Sequence, residues 1–222
     1  MPDARLDKRK VPDTYRKVAP IYDLWARLTE SKARDRCLEL AAIQDGEAVL
    51  EVAVGTGLAF EKILRANPTG RVEGVDLTDG MLLRAERRVA ATGRTNYRLS
   101  IGDAYDLSFA DDGFDVLINN YMFDLLPERD FPEVLAEFRR VLRPRGRLVM
   151  VNMARGERWY NGVWTSIYKL SPALLGGCRG VSLLEHLQAA GFQQTAREYL
   201  SQFTFPSEVI TGINAHSKET AP

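Results

Sequence analysis

Residues 47–57, Glu47-Ala-Val-Leu-Glu-Val-Ala-Val-Gly-Thr-Gly57, constrain the chain more than any other stretch. The run Val49–Val54 is short, mostly apolar and rich in β-branched residues, as suits a strand buried on both faces. Gly55-Thr56-Gly57 ends it, and two glycines let the backbone turn tightly and pass close to a ligand. The residues after Gly57 predict a helix start, with free N–H groups and a positive dipole end at the strand's carboxyl edge. Strand, glycine turn and helix together predict the ligand crevice of an open α/β sheet.

Alternation continues along the chain. Strand 47–54 leads to a helix ending near Ala66, the turn Asn67-Pro-Thr-Gly70 and a strand Arg71–Asp76. A helix 79–91 capped by Thr78, a short strand 97–101 and a strand Phe114–Asn119 follow. Helix 131–142 places Phe131, Val134, Leu135, Phe138, Val141 and Leu142 on one face, and Pro144-Arg-Gly146 turns the chain into strand Arg147–Asn152. Repeated βα units predict a parallel sheet covered by helices on both faces. Upstream, residues 1–13 read as a charged arm, Tyr15 to Leu28 shows helical spacing broken at Pro20, and Ser31 caps a helix through about Ile43. Downstream, Ser182-x-x-Glu185 resembles a capping box opening a helix 182–190 that Gly191 ends. Thr195–Ser201 and Glu208–Asn214 read as an antiparallel pair at the sheet edge. The expected organisation is one domain over 1–222. Its parts are an arm and helices at 1–44, a core at 45–152, a lid at 153–180, and a helix with an edge hairpin at 181–222.

Composition removes other classes. Lys+Arg 30 balance Asp+Glu 30, whereas nucleic-acid binding rests on clustered excess positive charge, so no nucleic-acid partner is expected. Cys37 and Cys178 stand far apart with no C-x-x-C pair, which argues against a disulfide framework or a zinc site. No metal is expected. No apolar run approaches the ~18 residues that span a bilayer, and the polar start lacks a signal sequence, so a cytoplasmic protein is expected.

Acidic residues fall at the carboxyl ends of successive strands. Asp76 follows the glycines by about 20 residues, where a carboxylate accepts hydrogen bonds from ribose hydroxyls. Asp103 follows the third strand and suits an adenine amino group, or a plain turn. Glu51, near the end of the first strand, offers a charge to a cationic ligand or a partner to an arginine. The dinucleotide fingerprint G-x-G-x-x-G/A fails at Phe60, whose bulk would obstruct close helix–strand packing, so a nicotinamide oxidoreductase is disfavoured.

Glu51-Val-Ala-Val-Gly-Thr-Gly57, Val75-Asp76, Gly102-Asp103-Ala104, Phe114-Asp-Val-Leu-Ile-Asn-Asn120 and Val141-Leu-Arg-Pro-Arg-Gly-Arg147 resemble the ordered motifs of class I S-adenosylmethionine-dependent methyltransferases. Within that family the chain looks most like the ubiquinone/menaquinone biosynthesis C-methyltransferases, whose opening motif Ala19-Pro-Ile-Tyr-Asp23 also resembles. The resemblance covers residues 15–152. It implies a Rossmann-like, mostly parallel seven-stranded sheet, order 3-2-1-4-5-7-6, strand 7 antiparallel. It further implies that Gly55, Thr56 and Gly57 face the methionine part of S-adenosylmethionine, Asp76 the ribose, and Asp103 with Ala104 the adenine. Asn119 and Asn120 would floor the site beside the sulfonium, and Tyr22 would cover it; Glu51, Ala53, Leu77, Met81 and Gly102 complete the implied set. Two motif positions depart, Glu51 where many members carry aspartate and Val54 where the quinone enzymes usually carry cysteine. Residues 174–180 and 203–208 match the quinone pattern poorly and leave the acceptor open.

A sulfonium methyl is already activated, so the protein mainly positions donor and acceptor and excludes water. No general base stands out; His186 and His216 are weak candidates. Trp25, Tyr121, Trp159, Tyr160 and Trp164 are candidate substrate contacts, each also readable as a packing aromatic. They suit a small apolar or lipid-like acceptor such as a quinone precursor. The alternatives are a phospholipid headgroup amine and, in another class, a non-catalytic S-adenosylmethionine-binding protein. The basic residues of the arm, diluted by Asp3, Asp7 and Asp13, allow at most peripheral contact with anionic lipid. A monomer or homodimer is expected.

Overall fold

A computed structural model describes residues 28–157, 161 and 178–215. Helix α1 (Ser31–Ala41) precedes strand β1 (Ala48–Val52), α2 (Phe60–Ala66), β2 (Arg71–Asp76), α3 (Asp79–Ala90), β3 (Tyr97–Ile101) and β4 (Phe114–Asn120). Then come α4 (Phe131–Val141), β5 (Leu142–Met153), α5 (Leu184–Ala189), β6 (Phe192–Gln202) and β7 (Phe205–Asn214). The strands form one sheet in the order β3-β2-β1-β4-β5-β7-β6. Strands β1 to β5 pair in parallel, and β7 runs antiparallel to both β5 and β6. Every residue of β1 is buried, Glu51 included, as expected of a central strand covered on both faces. The fold class and strand order implied by the resemblance are the ones observed.

Two apolar layers flank the sheet. One joins Cys37 and Ala41 of α1, Phe60 and Ile63 of α2, and Ala85 and Val89 of α3 to Val49, Val116 and Val151. The other joins Phe131, Leu135 and Phe138 of α4 and Leu187 of α5 to Leu50, Leu117 and Met150. Phe60 does not hold α2 away from the sheet, contrary to expectation. It is fully buried, meets Tyr97 edge-on, and lies over Gly74 of β2, where a Cβ would stand 2.6 Å from the Phe60 ring. The missing side chain of Gly74 makes room for the ring.

Several element ends differ from the expectations. Ser31 is the first helical residue, not the cap; the N-cap is Glu30, and the Ser31 hydroxyl donates toward Gln202 of β6. Thr78 occupies the N-cap of α3 without a side-chain cap bond. The Ser182–Glu185 capping box does not form, because α5 starts at Leu184 behind Leu183. Pro144-Arg-Gly146 is an irregularity inside β5, not a turn before it; Arg145 sits at φ 67, and the pairing with β4 shifts between Phe114 and Val116. The edge hairpin is longer than expected and turns through Phe203 and Thr204, both left-handed at φ 47 and 66.

The amino edge of the sheet is bolted by polar contacts. Arg147 donates to both oxygens of Glu47 at 2.8 and 2.7 Å and to the Ala41 carbonyl at 2.9 Å, so the end of α1 is tied to β1 and β5. Asn67 accepts from the Gly46 and Gly70 N–H groups and donates to the Glu47 carbonyl. The start of α1 is clamped by the far hairpin. Gln202 accepts from the Lys32 N–H at 2.7 Å and donates to the Leu28 carbonyl at 2.7 Å, and Arg36 donates to Glu198 at 2.8 Å. Among the described residues no helix is long and apolar enough to cross a membrane.

A Gly74→Ala variant would set a methyl against Phe60, Leu99 and Val54 at 2.6–2.8 Å. The expected cost is about 1–3 kcal/mol, read as a lower urea midpoint with an unchanged slope.

Candidate functional site

The glycine turn is built by strain on one side and close packing on the other. Ala53 takes φ 61, and Gly55 and Gly57 take φ 58 and 81. A Cβ on Gly57 would lie 2.9 Å from the Ala85 Cα, so α3 packs directly on the turn. A Cβ on Gly55 would meet nothing within 4 Å, which leaves that side of the turn open.

Asp76, at the end of β2, holds this turn in place. One carboxylate oxygen accepts the Gly55 N–H at 2.8 Å and the other the Thr78 N–H at 2.9 Å. Burial pushes its pKa up, and those same N–H groups restrain the rise. The Gly102 N–H donates to the Asp76 carbonyl at 3.1 Å, which sets the Gly102-Asp103-Ala104 turn beside it. Asp103 accepts from the Tyr105 N–H at 3.2 Å as a turn aspartate does. Ala104 and Met81 are buried, whereas Leu77 stands exposed next to Asp76. Thr56 is buried, and its carbonyl accepts from Arg88 at 2.8 Å.

The ends of β1 and β4 carry the second group. Register places Val52 beside Asn119, and Asn119 donates to the Val52 carbonyl at 2.8 Å. Asn120 donates to Glu51 at 3.3 Å. Glu51 is buried, and desolvation lifts its carboxyl from 4.5 to about 8, with Asn120 and the Arg34 guanidinium pulling the other way. Burial thus works against the negative charge expected at Glu51 and favours the protonated carboxyl unless a cation joins it. Arg34, on α1, is also buried and acts electrostatically on Glu51, Glu30 and Tyr121. Burial likewise lifts Glu30 to about 8.

Beyond β4, Tyr121 turns its ring against Phe205 and shares a hydrogen bond with Ser207 at 2.8 Å, so its hydroxyl is engaged within the protein. Asp124 is fully buried and accepts from the Met153 N–H at 3.2 Å. His186, on α5, contacts Glu128 at 3.3 Å and meets Phe131 of α4 edge-on. Tyr22, Trp25, Trp159, Tyr160, Trp164 and His216 lie outside the described residues.

Buried polar atoms without a hydrogen-bond partner are concentrated at this one edge. Among the described residues ten such atoms occur, and eight belong to Arg34, Glu51, Asn119, Asn120, Asp124, Asn152 and Arg179, at or near the carboxyl ends of β1, β4 and β5. Folded proteins pair nearly all buried polar atoms, so clustered exceptions mark where a ligand supplies the partners. Arg34, Asp124, Asn152 and Arg179 were not foreseen from sequence. The one signal was Asp124 itself, a lone acid within Met122-Phe-Asp-Leu-Leu126. No group of three or more His, Cys, Asp or Glu among the described residues is placed to hold a metal.

Two outcomes follow from the strain and burial. Ala53→Gly should stabilise the fold by up to about 1 kcal/mol in urea titration, since glycine accepts φ 61 freely. Glu51 is protonated in the folded state up to about pH 8 but ionises near 4.5 when unfolded. The ligand-free protein should thus lose stability as pH rises from 4.5 to 8, and Glu51→Gln should flatten that limb of a melting-temperature profile.

Residues 49–146 match the family model described as a methyltransferase domain. The demethylmenaquinone methyltransferase of Lactobacillus johnsonii is 28% identical over 222 residues, covering 95% of this chain and 90% of that protein. The ubiquinone/menaquinone biosynthesis C-methyltransferase of Paracoccus denitrificans is 36% identical over 152 residues, covering 65% of this chain and 59% of that protein. The crystal structure of magnesium protoporphyrin IX methyltransferase from Synechocystis, solved with bound S-adenosylhomocysteine, superposes with a TM-score of 0.72 at 15% identity, over 93% of this chain and 99% of that one. That likeness speaks for the fold; the sequence matches speak for the activity and for S-adenosylmethionine as methyl donor. The chain is a class I S-adenosylmethionine-dependent methyltransferase, similar to the C-methyltransferases of ubiquinone and menaquinone biosynthesis.

Proposed function

We propose that the chain methylates a small, apolar, quinone-precursor-like acceptor by in-line transfer, with the donor held across the ends of β2, β1 and β4. The carrying observation is the concentration of unpartnered buried polar atoms at those strand ends. The donor brings an α-ammonium, an α-carboxylate, two ribose hydroxyls and an adenine, and the residues present fit each. Glu51 would take the ammonium, whose charge would hold that carboxyl ionised despite its burial. Arg34, a buried guanidinium whose Nε has no partner, would take the carboxylate. The open side of Gly55 leaves room for the methionine chain. Asp76 keeps lone pairs for the ribose hydroxyls after accepting two backbone N–H groups. Asp103 and Ala104 would border the adenine, with Leu77 and Met81 as its apolar flanks.

Bound there, S-adenosylmethionine supplies an electrophilic methyl. The protein's own work is to orient it and keep water away. Asn119 and Asn120, each with an unpartnered amide oxygen, lie nearest that work. An apolar acceptor is supported by two relatives whose names specify demethylmenaquinone and ubiquinone/menaquinone biosynthesis.

Calorimetric titration with S-adenosylhomocysteine tests the cofactor half. Asp76→Ala removes the ribose acceptor and unties Gly55, and should weaken binding about 10- to 100-fold, a loss of roughly 1.4–3 kcal/mol. Unchanged affinity would refute the placement. Transfer of tritiated methyl to a chemically reduced 2-alkyl-1,4-naphthoquinone tests the acceptor half, and absence of labelled product would refute it.

A further inference from the structure

Asp124 lies in the short turn Phe123–Leu125 that follows β4, where the carboxyl ends of β4 and β5 meet. Its side chain is half anchored. Oδ2 accepts the Met153 N–H at 3.2 Å, while Oδ1 is buried and has no hydrogen-bond partner. Its backbone carbonyl accepts the Arg179 N–H at 3.1 Å, which pins the turn from the other side. A carboxyl kept only for structure would be expected to use both oxygens, because a buried unmet acceptor is costly.

The groups that face it do not complete it. From α1 comes Glu30, itself a carboxyl lifted by burial. From the end of β4 comes Tyr121, whose hydroxyl is engaged with Ser207. From the segment before α5 come the Cys178 thiol, which hydrogen-bonds this carboxyl, and the Arg179 guanidinium. Arg179 donates to the Leu126 carbonyl at 2.6 Å and lies over the Phe131 ring, and it makes no ion pair with Asp124. Asp124 thus remains an anchored carboxyl with one oxygen open, in the turn just after Asn119 and Asn120 of β4.

Resting on the acceptor reading above, we propose that Asp124 is a catalytic residue that takes the proton from a hydroxyl of the methyl acceptor, and that the acceptor is therefore a hydroxylated ring compound, not an amine. The acceptor's O–H bond breaks and its proton joins Oδ1. The electron pair released through the ring forms the carbon–methyl bond, while the methyl–sulfur pair stays on sulfur as S-adenosylhomocysteine. Loss of the ring proton to water restores aromaticity, and Asp124 returns its proton to the ring oxygen, so one proton is released per turnover. Burial supports the assignment by lifting this carboxyl from 3.8 to about 7, with the Met153 N–H, Cys178 and Arg179 opposing, which suits a base working near neutrality.

Asp124→Asn keeps the size of the side chain and an oxygen for the Met153 N–H. With a reduced 2-alkyl-1,4-naphthoquinone as acceptor, the wild-type rate should rise with pH through an apparent pKa near 7. The variant should lose that limb and about 100-fold in kcat. Calorimetry should find its affinity for S-adenosylhomocysteine within about two-fold of wild type, because Asp124 lies outside the proposed donor contacts. Without ligand the variant should melt higher than wild type at alkaline pH, where wild type must hold a buried anion. A ring-substituted acceptor whose hydroxyl is already ionised in the assay should restore most of the variant's rate, which a merely structural role would not allow. Should the variant fail to fold, that same acceptor must abolish the pH limb near 7 in wild type. A variant with the wild-type rate and limb overturns the role of Asp124 alone, with the acceptor reading intact. Wild type that binds S-adenosylhomocysteine yet leaves the quinol unmethylated overturns both.

Discussion

The carboxylate of Asp76 is the constraint on which the site depends. It accepts one N–H from the turn after β1 and one from the turn after β2, and its carbonyl accepts a third from the turn after β3. Three neighbouring strands therefore end at fixed heights around one residue. The left-handed backbone at Ala53, Gly55 and Gly57 is held open by that arrangement and by Ala85 packed beneath Gly57. Strain of this kind persists only where its surroundings over-determine it.

The two edges of the sheet are built on opposite terms. At the amino edge Arg147, Glu47 and the buried Asn67 find partners within the chain. At the carboxyl edge burial raises the pKa values of Glu51 and Asp124, and each of these carboxyls keeps one oxygen without a hydrogen-bond partner. Unsatisfied buried groups cost stability, and the fully buried central strands and the two apolar layers supply the margin that tolerates them. Ligand binding at such an edge is favourable partly because it relieves a cost the free protein carries.

Much of this was legible in the sequence, for reasons that can be named. Apolar runs bounded by Gly, Asn and Pro fixed the strands, because a central parallel strand has no polar face to confuse the reading. Asp76 and the glycines were legible because their spacing follows from strand and helix lengths. The rest depended on what lies across space. Gly74 makes sense only beneath Phe60. Arg34 sits in Ser31-Lys-Ala-Arg-Asp-Arg36, a segment that reads as solvated helix surface until α1 is laid against β5 and β7. Ser31 and Ser182 were plausible caps by composition, but a shifted helix start took each away, while Thr78 keeps the N-cap position without a side-chain cap bond. The state of Glu51 is a property of its burial, which no local pattern reports.

The clamp between α1 and the last hairpin has a consequence for how the molecule is made. Gln202 and Glu198 grip the first turns of a helix that is translated well before the strands it packs on, β5 and β7. During synthesis Ala33, Cys37 and Ala41 have no lasting home until β5 and β7 have emerged, so an amphipathic segment made before them stays open to chaperones until then.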